Sequence, residues 1–218
     1  MFLQTKLGPV NFLIKLPVDY TQIPAYVTKD NPGTDTSVLL LTLPHPDSAR
    51  ITPQLYLSPR VEHALGGSSS LRIPAFPNGG LMGDYVVGIS QLLQNKVDQI
   101  VQNFDRRRDY MAALLSYFGR SVLEFDADTF RKISLLFEWN DFFFILHIEV
   151  PQFFPQEKPI LSFQSIYHEC KGKPYTEVHE EYPYSPRWSG SEMAERARVY
   201  ILDNIKDFQI QSVRSGVL

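Results

Sequence analysis

Cys170 is the sole thiol of the chain and the first residue to weigh as a nucleophile. A reactive cysteine needs a cationic or helix-terminal environment, and its immediate neighbour is the carboxylate of Glu169. One thiol also cannot close an internal disulfide or supply a multi-cysteine zinc site. His147 sits in a strand pattern of large apolar residues, which fits a structural, partly exposed imidazole. His168 and His179 lie among Glu169, Glu177, Glu180 and Glu181. A metal site or a carboxylate acid–base pair would need a companion pocket motif, and none accompanies them. The expectation is no catalytic residue, no metal and no cofactor.

The aromatic residues are more informative. Tyr175, Tyr182, Tyr184 and Trp188 alternate with Pro174, Pro183 and Pro186. Aromatic rings bind proline-rich peptides because a polyproline helix is already extended and loses little entropy. Tyrosine and tryptophan also dominate interface hot spots. Together with Tyr167 and His168, these residues form the candidate peptide- or partner-binding set. The competing reading places Trp188 and Tyr182 in the core beneath the last helix.

These residues must be held by regular elements. Residues 10–16 and 37–43 read as strands, each closed by a proline, and 50–57 as an edge strand because of Pro53. Residues 66–83, rich in Gly, Ser and Pro, read as a loop. From Val86 to Phe118 the apolar residues step by threes and fours, a helical stripe with Asp84 able to cap its start and Gly119 its end. It is either one long helix or two that break near 103–109. Residues 121–126, 131–139, 142–150 and 160–167 read as a four-strand antiparallel meander, with a short turn at Asn140-Asp141. Phe142, Phe143 and Phe144 cannot all face one core, because a strand alternates its faces. Residues 168–187 read as a long polar loop. Ser189 and Glu192 then form a capping box for a final helix bearing Met193, Ala197, Tyr200, Ile201, Ile205 and Phe208. The class is α+β, with helices packed on an antiparallel sheet.

Composition limits the function. The chain has 218 residues, 44% hydrophobic and 13% aromatic, with a net charge of −3. That excludes disorder and gives no field to attract nucleic acid. The basic run Arg106-Arg107-Arg108, flanked by Asp105 and Asp109, reads as a solvated helix face. No apolar run reaches the ~18 residues of a membrane span. The first residues, 1–6, lack a leader's pattern. The single thiol suits a reducing compartment, so cytoplasm and nucleus are the expected locations.

An internal echo organises the rest. Ile14, Leu16, Pro17, Tyr20 and Gln22 stand 134 positions before Ile148, Val150, Pro151, Phe154 and Gln156. Tyr56-Leu57-Ser58-Pro59-Arg60 likewise resembles Pro183-Tyr184-Ser185-Pro186-Arg187, 127 positions on. A repeat of about 130 residues is domain-sized. The expected organisation is a partial first copy over 1–83 and a complete second copy over 84–218.

Phe154-Pro155, Pro159 and Ile166-Tyr167-His168 resemble the Tyr-Pro-x-x-Pro-Pro and Ile-Tyr-His-Pro-Asn motifs of ubiquitin-conjugating enzymes, and Trp188 suits the Trp that opens the family's next segment. Those enzymes carry a cysteine about ten residues beyond that His. Here that position is Val178, and Glu169-Cys170 replace the Pro-Asn. In the first copy His45-Pro46-Asp47 is a weaker echo, with Leu55 at the matching position. The chain therefore resembles the inactive ubiquitin-conjugating-enzyme variants (the UEV/RWD fold). Tyr182-Pro183-Tyr184 through Trp188 is similar to the segment of the ESCRT-I tumour-susceptibility subunit that binds proline-rich peptides. Residues 56–80, 139–168 and 182–200 resemble the BRE family more closely still, in its carboxy-terminal part.

That resemblance implies a non-catalytic scaffold of BRISC or BRCA-A type deubiquitinase assemblies. It would link a JAMM deubiquitinase and an Abraxas-like subunit to a von Willebrand A-type subunit, whose carboxy-terminal tail docks on the second UEV domain. The alternatives are a ubiquitin-binding module and, less favoured, an active conjugating enzyme using Cys170.

Overall fold

The computed structural model describes residues 8–24, 33–45, 48, 50–67 and 71–215. The stretch read for a leader, Pro46 and Asp47 of the weaker motif echo, and residues 68–70 of the Gly/Ser-rich segment lie outside the described residues. In chain order the elements are β1 (Val10–Lys15), β2 (Ser37–Leu43), β3 (Thr52–Leu57), α1 (Pro59–Ala64), α2 (Met82–Phe118), a 3-10 turn (Gly119–Ser121), β4 (Val122–Phe125), β5 (Lys132–Trp139), β6 (Phe142–Glu149), β7 (Ile160–Cys170), β8 (Lys173–His179) and α3 (Gly190–Ser215). The class is α+β, with antiparallel sheets ordered β1-β2-β3 and β4-β5-β6-β7-β8. Among the described residues no helix is long and apolar enough to cross a membrane.

The chain divides into two units, one through Val101 and one from Gln102, and the division falls inside α2. The boundary anticipated at 83/84 falls within the first turn of this helix, after its second residue. In the first unit β2 is the central strand and sends Leu39 and Leu41 inward. β3 is an edge, where Pro53 costs no ladder bond. Tyr85, Ile89 and Leu93, from the first half of α2, complete a core with Leu16, Leu39 and Leu41. Helix α1 was not foreseen. Pro59 follows Ser58 in the arrangement that favours a helix start, but the element is only 6 residues long.

In the second unit the inner sheet face is covered by the latter half of α2 and by α3. Tyr110, Met111, Leu114 and Phe118 of α2 join Met193, Ala197, Ile201, Ile205 and Phe208 of α3 in one core. At its centre Phe208 lies 5.4 Å from Phe144 and 5.5 Å from Phe163, ring centroid to centroid. Phe142 and Phe144 face this core and Phe143 the opposite side, as strand alternation requires.

Three expectations need correction. The meander has five strands, because residues 168–179 are not a loop: β7 runs on to Cys170 and β8 returns antiparallel. The turn between them places Lys171 at φ 54° and Gly172 at φ 73°, the two left-handed residues of a tight hairpin. Asn140 (φ 51°) and Asp141 (φ 60°) make the same kind of turn, which their residue types announce more clearly. Asp84 lies in the first turn of α2 rather than capping it. The Arg106-Arg107-Arg108 run is not a solvated face. Arg107 is buried and donates to the carbonyls of Thr129 (3.1 Å) and Gln152 (3.3 Å), and Arg106 donates to that of Trp188 (3.2 Å). Only Arg108 behaves as expected, paired in the open with Asp105 at 3.1 Å.

Ser189 caps α3 by accepting from the Glu192 amide at 3.1 Å. Gly190 then meets α2 backbone to backbone. A Cβ there would stand 2.9 Å from the Tyr110 nitrogen and 3.0 Å from the Asp109 carbonyl carbon, atoms that cannot rotate aside. Gly190→Ala is therefore expected to cost about 1–3 kcal/mol, the scale of core overpacking, read as a lower denaturation midpoint. An unchanged midpoint would disprove the close approach.

Asp126 staples the β4–β5 turn. Its carboxylate accepts from the amides of Asp128 (3.1 Å) and Thr129 (2.9 Å) and from the Thr129 hydroxyl. Burial pushes this carboxyl up, but those bonds and the Arg131 amide together hold it below its ordinary 3.8. A depressed folded value stabilises above the unfolded one and is lost as pH falls through the folded one. Asp126→Ala should thus lower stability at neutral pH, and the gap from the parent should close below about pH 3.8. Denaturation curves at several pH values measure it, and a pH-independent gap would contradict it.

Candidate functional site

The candidate aromatic residues fall into two groups along α3. At the β7–β8 hairpin, Tyr167 and His168 flank Phe142, with ring centroids at 5.5 and 6.2 Å. The His168 Nδ1 lies 2.9 Å from the Ser212 hydroxyl near the end of α3. Tyr175 stacks on Phe208 at 6.0 Å, and its hydroxyl donates to Glu177 at 2.6 Å. Burial first, then the Glu177 carboxylate, push this phenol up to about 12, so it is a neutral donor throughout the physiological range. Tyr167 is the most open ring of the set, 41% exposed beside Ile166 at 49%.

The second group lies at the start of α3 and is built against the proline segment 151–159. Tyr182 is buried and donates to the Pro159 carbonyl at 2.7 Å. Tyr184 is half-buried and donates to the Pro155 carbonyl at 2.6 Å. Burial raises both phenols. Trp188 packs against the core cluster with Arg196 over its ring at 5.5 Å. The core reading thus describes Tyr182, and Trp188 in part. From Arg196 to Ser212 the helix rises about 24 Å. The two groups are therefore ends of one face rather than one pocket. The Phe154-Pro155…Pro159 motif and the Tyr182-Pro183-Tyr184 segment, far apart in sequence, are brought together by these phenol–carbonyl bonds.

The residues that might have carried chemistry are placed otherwise. Cys170 is exposed at the hairpin, and Val178 is 58% exposed on the edge strand β8. A Glu–Ser–His row crosses the outer sheet face. The Ser134 hydroxyl lies 3.1 Å from the Glu124 carboxylate and 2.9 Å from His147 Nδ1, and His147 Nε2 is 3.3 Å from Gln164. Sequence reading missed it, because its members come from four strands and only the register shows that they are neighbours. Ser134 is 2% exposed, so no substrate reaches it, and the row ties strands together. Among the described residues no group of His, Cys, Asp and Glu gathers to hold a metal ion.

Residues 1–169 match the family model of the Brain and reproductive organ-expressed protein (BRE). A Branchiostoma floridae protein named BRISC and BRCA1-A complex member 2 is 55% identical over 213 residues, 97% of this chain and 56% of that protein. The Danio rerio protein of the same name is 49% identical over 211 residues, 95% of this chain and 55% of the relative. The chain spans about half the length of these curated relatives. With most of its length matched by one family model and by both relatives, this chain belongs to the BRE family.

Proposed function

We propose that this chain is a non-catalytic scaffold subunit of a deubiquitinase assembly of the BRISC or BRCA1-A type, working in cytoplasm and nucleus. Its second unit is a UEV-like domain that holds the carboxy-terminal tail of a von Willebrand A-type subunit, and through it the JAMM deubiquitinase and its Abraxas-like partner are joined. The observation that carries this reading is Val178. It stands ten residues beyond His168, where a conjugating enzyme keeps its thiol, and shows an apolar side chain to solvent. The names of the relatives, both complex members, support the assembly role.

The tail would run along the β8–α3 side, with Tyr167, His168 and Tyr175 at one end and Tyr182, Tyr184 and Trp188 at the other. A span of about 24 Å needs about seven extended residues. Tyr167 and Tyr175 offer ring faces for docking, while the Tyr182 and Tyr184 hydroxyls are committed to the proline segment. In calorimetry with a synthetic peptide of that tail, Tyr167→Ala and Tyr175→Ala are each expected to weaken binding tenfold or more, about 1.4 kcal/mol. Undiminished affinity in both variants would remove the site assignment.

A second measurement addresses catalysis. After incubation with activating enzyme, ATP, ubiquitin and a charged conjugating enzyme, a non-reducing gel should show no thiol-linked ubiquitin on this chain. A reducible adduct that disappears in Cys170→Ala would overturn the non-catalytic reading.

A further inference from the structure

A groove of about 380 Å³ lies where the first turns of α3 meet the segment after β8. Its apolar lining residues are Pro183, Tyr200 and Val199, which is 44% exposed. Its walls carry carboxylates. Glu195 accepts from two guanidinium nitrogens of Arg198, at 2.7 and 2.8 Å. Glu192 is only loosely held by Arg196 at 3.6 Å, and that guanidinium is also engaged over Trp188. Asp203 lines the groove and makes no hydrogen bond or ion pair among the described residues.

The Tyr200 hydroxyl is tied to His179 Nδ1 at 2.8 Å, which fixes the ring in the lining. Burial raises this phenol, and the Glu181 carboxylate adds to the rise, so a further negative charge acts on the same spot. Arg196 is the one cation in the lining, and it is already spoken for.

An aromatic and proline lining among under-neutralised carboxylates has a definite complement. Arginine lays its stem and planar guanidinium on such rings and meets carboxylates with a fork of donors. Lysine offers a point charge and no stacking plane. The volume is at the low end for ligand sites, sized for one or two side chains of an extended segment.

We propose that this groove is a docking site for an arginine-bearing extended segment of a partner protein, its guanidinium held between Tyr200 and the Asp203 carboxylate. The inference does not rest on the assembly reading, since it uses only this groove's shape and charge.

The probe is the end-blocked peptide Pro-Arg-Pro-Arg-Leu, titrated into the full 218-residue chain and followed by amide chemical shifts. The peptide should perturb Val199, Tyr200 and Asp203. Affinity should fall at least fivefold with citrulline in place of arginine, which keeps the shape and removes the charge. It should fall at least fivefold in Asp203→Lys and measurably in Glu181→Lys, both exposed positions. Unmoved Phe144 and Phe208 amides would show that the variants keep the fold. Perturbation elsewhere, no perturbation, equal binding of the citrulline peptide, or indifference to Asp203→Lys would each overturn the proposal.

Discussion

The second unit depends on covering one aromatic sheet face. Phe137, Phe144 and Phe163 stand side by side on three neighbouring strands, with centroids 5.5 and 5.9 Å apart along the row. A sheet that presents such a row to water would associate with whatever apolar surface it met. Phe208 of α3 closes over it, and Tyr110 and Leu114 of α2 extend the cover. A buried aromatic side chain is worth about 1.5–3 kcal/mol, so this contact outweighs the surface ion pairs, each worth about 1 kcal/mol or less. The placement of α3 follows from it, and with α3 go the candidate aromatics. Tyr175 reaches Phe208, His179 reaches Tyr200, and Trp188 lies beside Arg196.

Polar groups then settle what apolar burial leaves loose. The two phenol–carbonyl bonds hold a segment whose prolines give no amide to a sheet ladder. Arg107 performs a similar task with its guanidinium, joining α2 to the turn at Thr129 and to the proline segment at Gln152. Buried arginine needs several acceptors to offset desolvation, and backbone carbonyls at irregular turns supply them.

Much of this was legible in the residues. The strand alternation of β2, β5 and β6, the edge position of Pro53, the stripe of α2 and the Ser189 cap all follow from local period and residue type. What escaped was decided by partners distant in sequence. Tyr175, Glu177 and His179 turn half inward on β8, yet they read as a polar loop because an edge strand is only partly covered. Arg107 looks like its charged neighbours until the carbonyls opposite it are known. The aromatic set falls along α3 in two groups, and residue type does not reveal the distance between them. It also could not reveal that Tyr182 and Tyr184 have their hydroxyls in use.

The added strand β8 has a consequence for solubility. Among the described residues nothing pairs with its far side, so a row of main-chain donors and acceptors faces outward. Such rims recruit strands from other molecules and seed fibrous stacking. This rim is guarded: Pro174 removes one donor, Lys173 puts a charge at its start, and the hairpin glycine limits its length. Val178 is the large apolar side chain left showing there, too little to nucleate a second sheet.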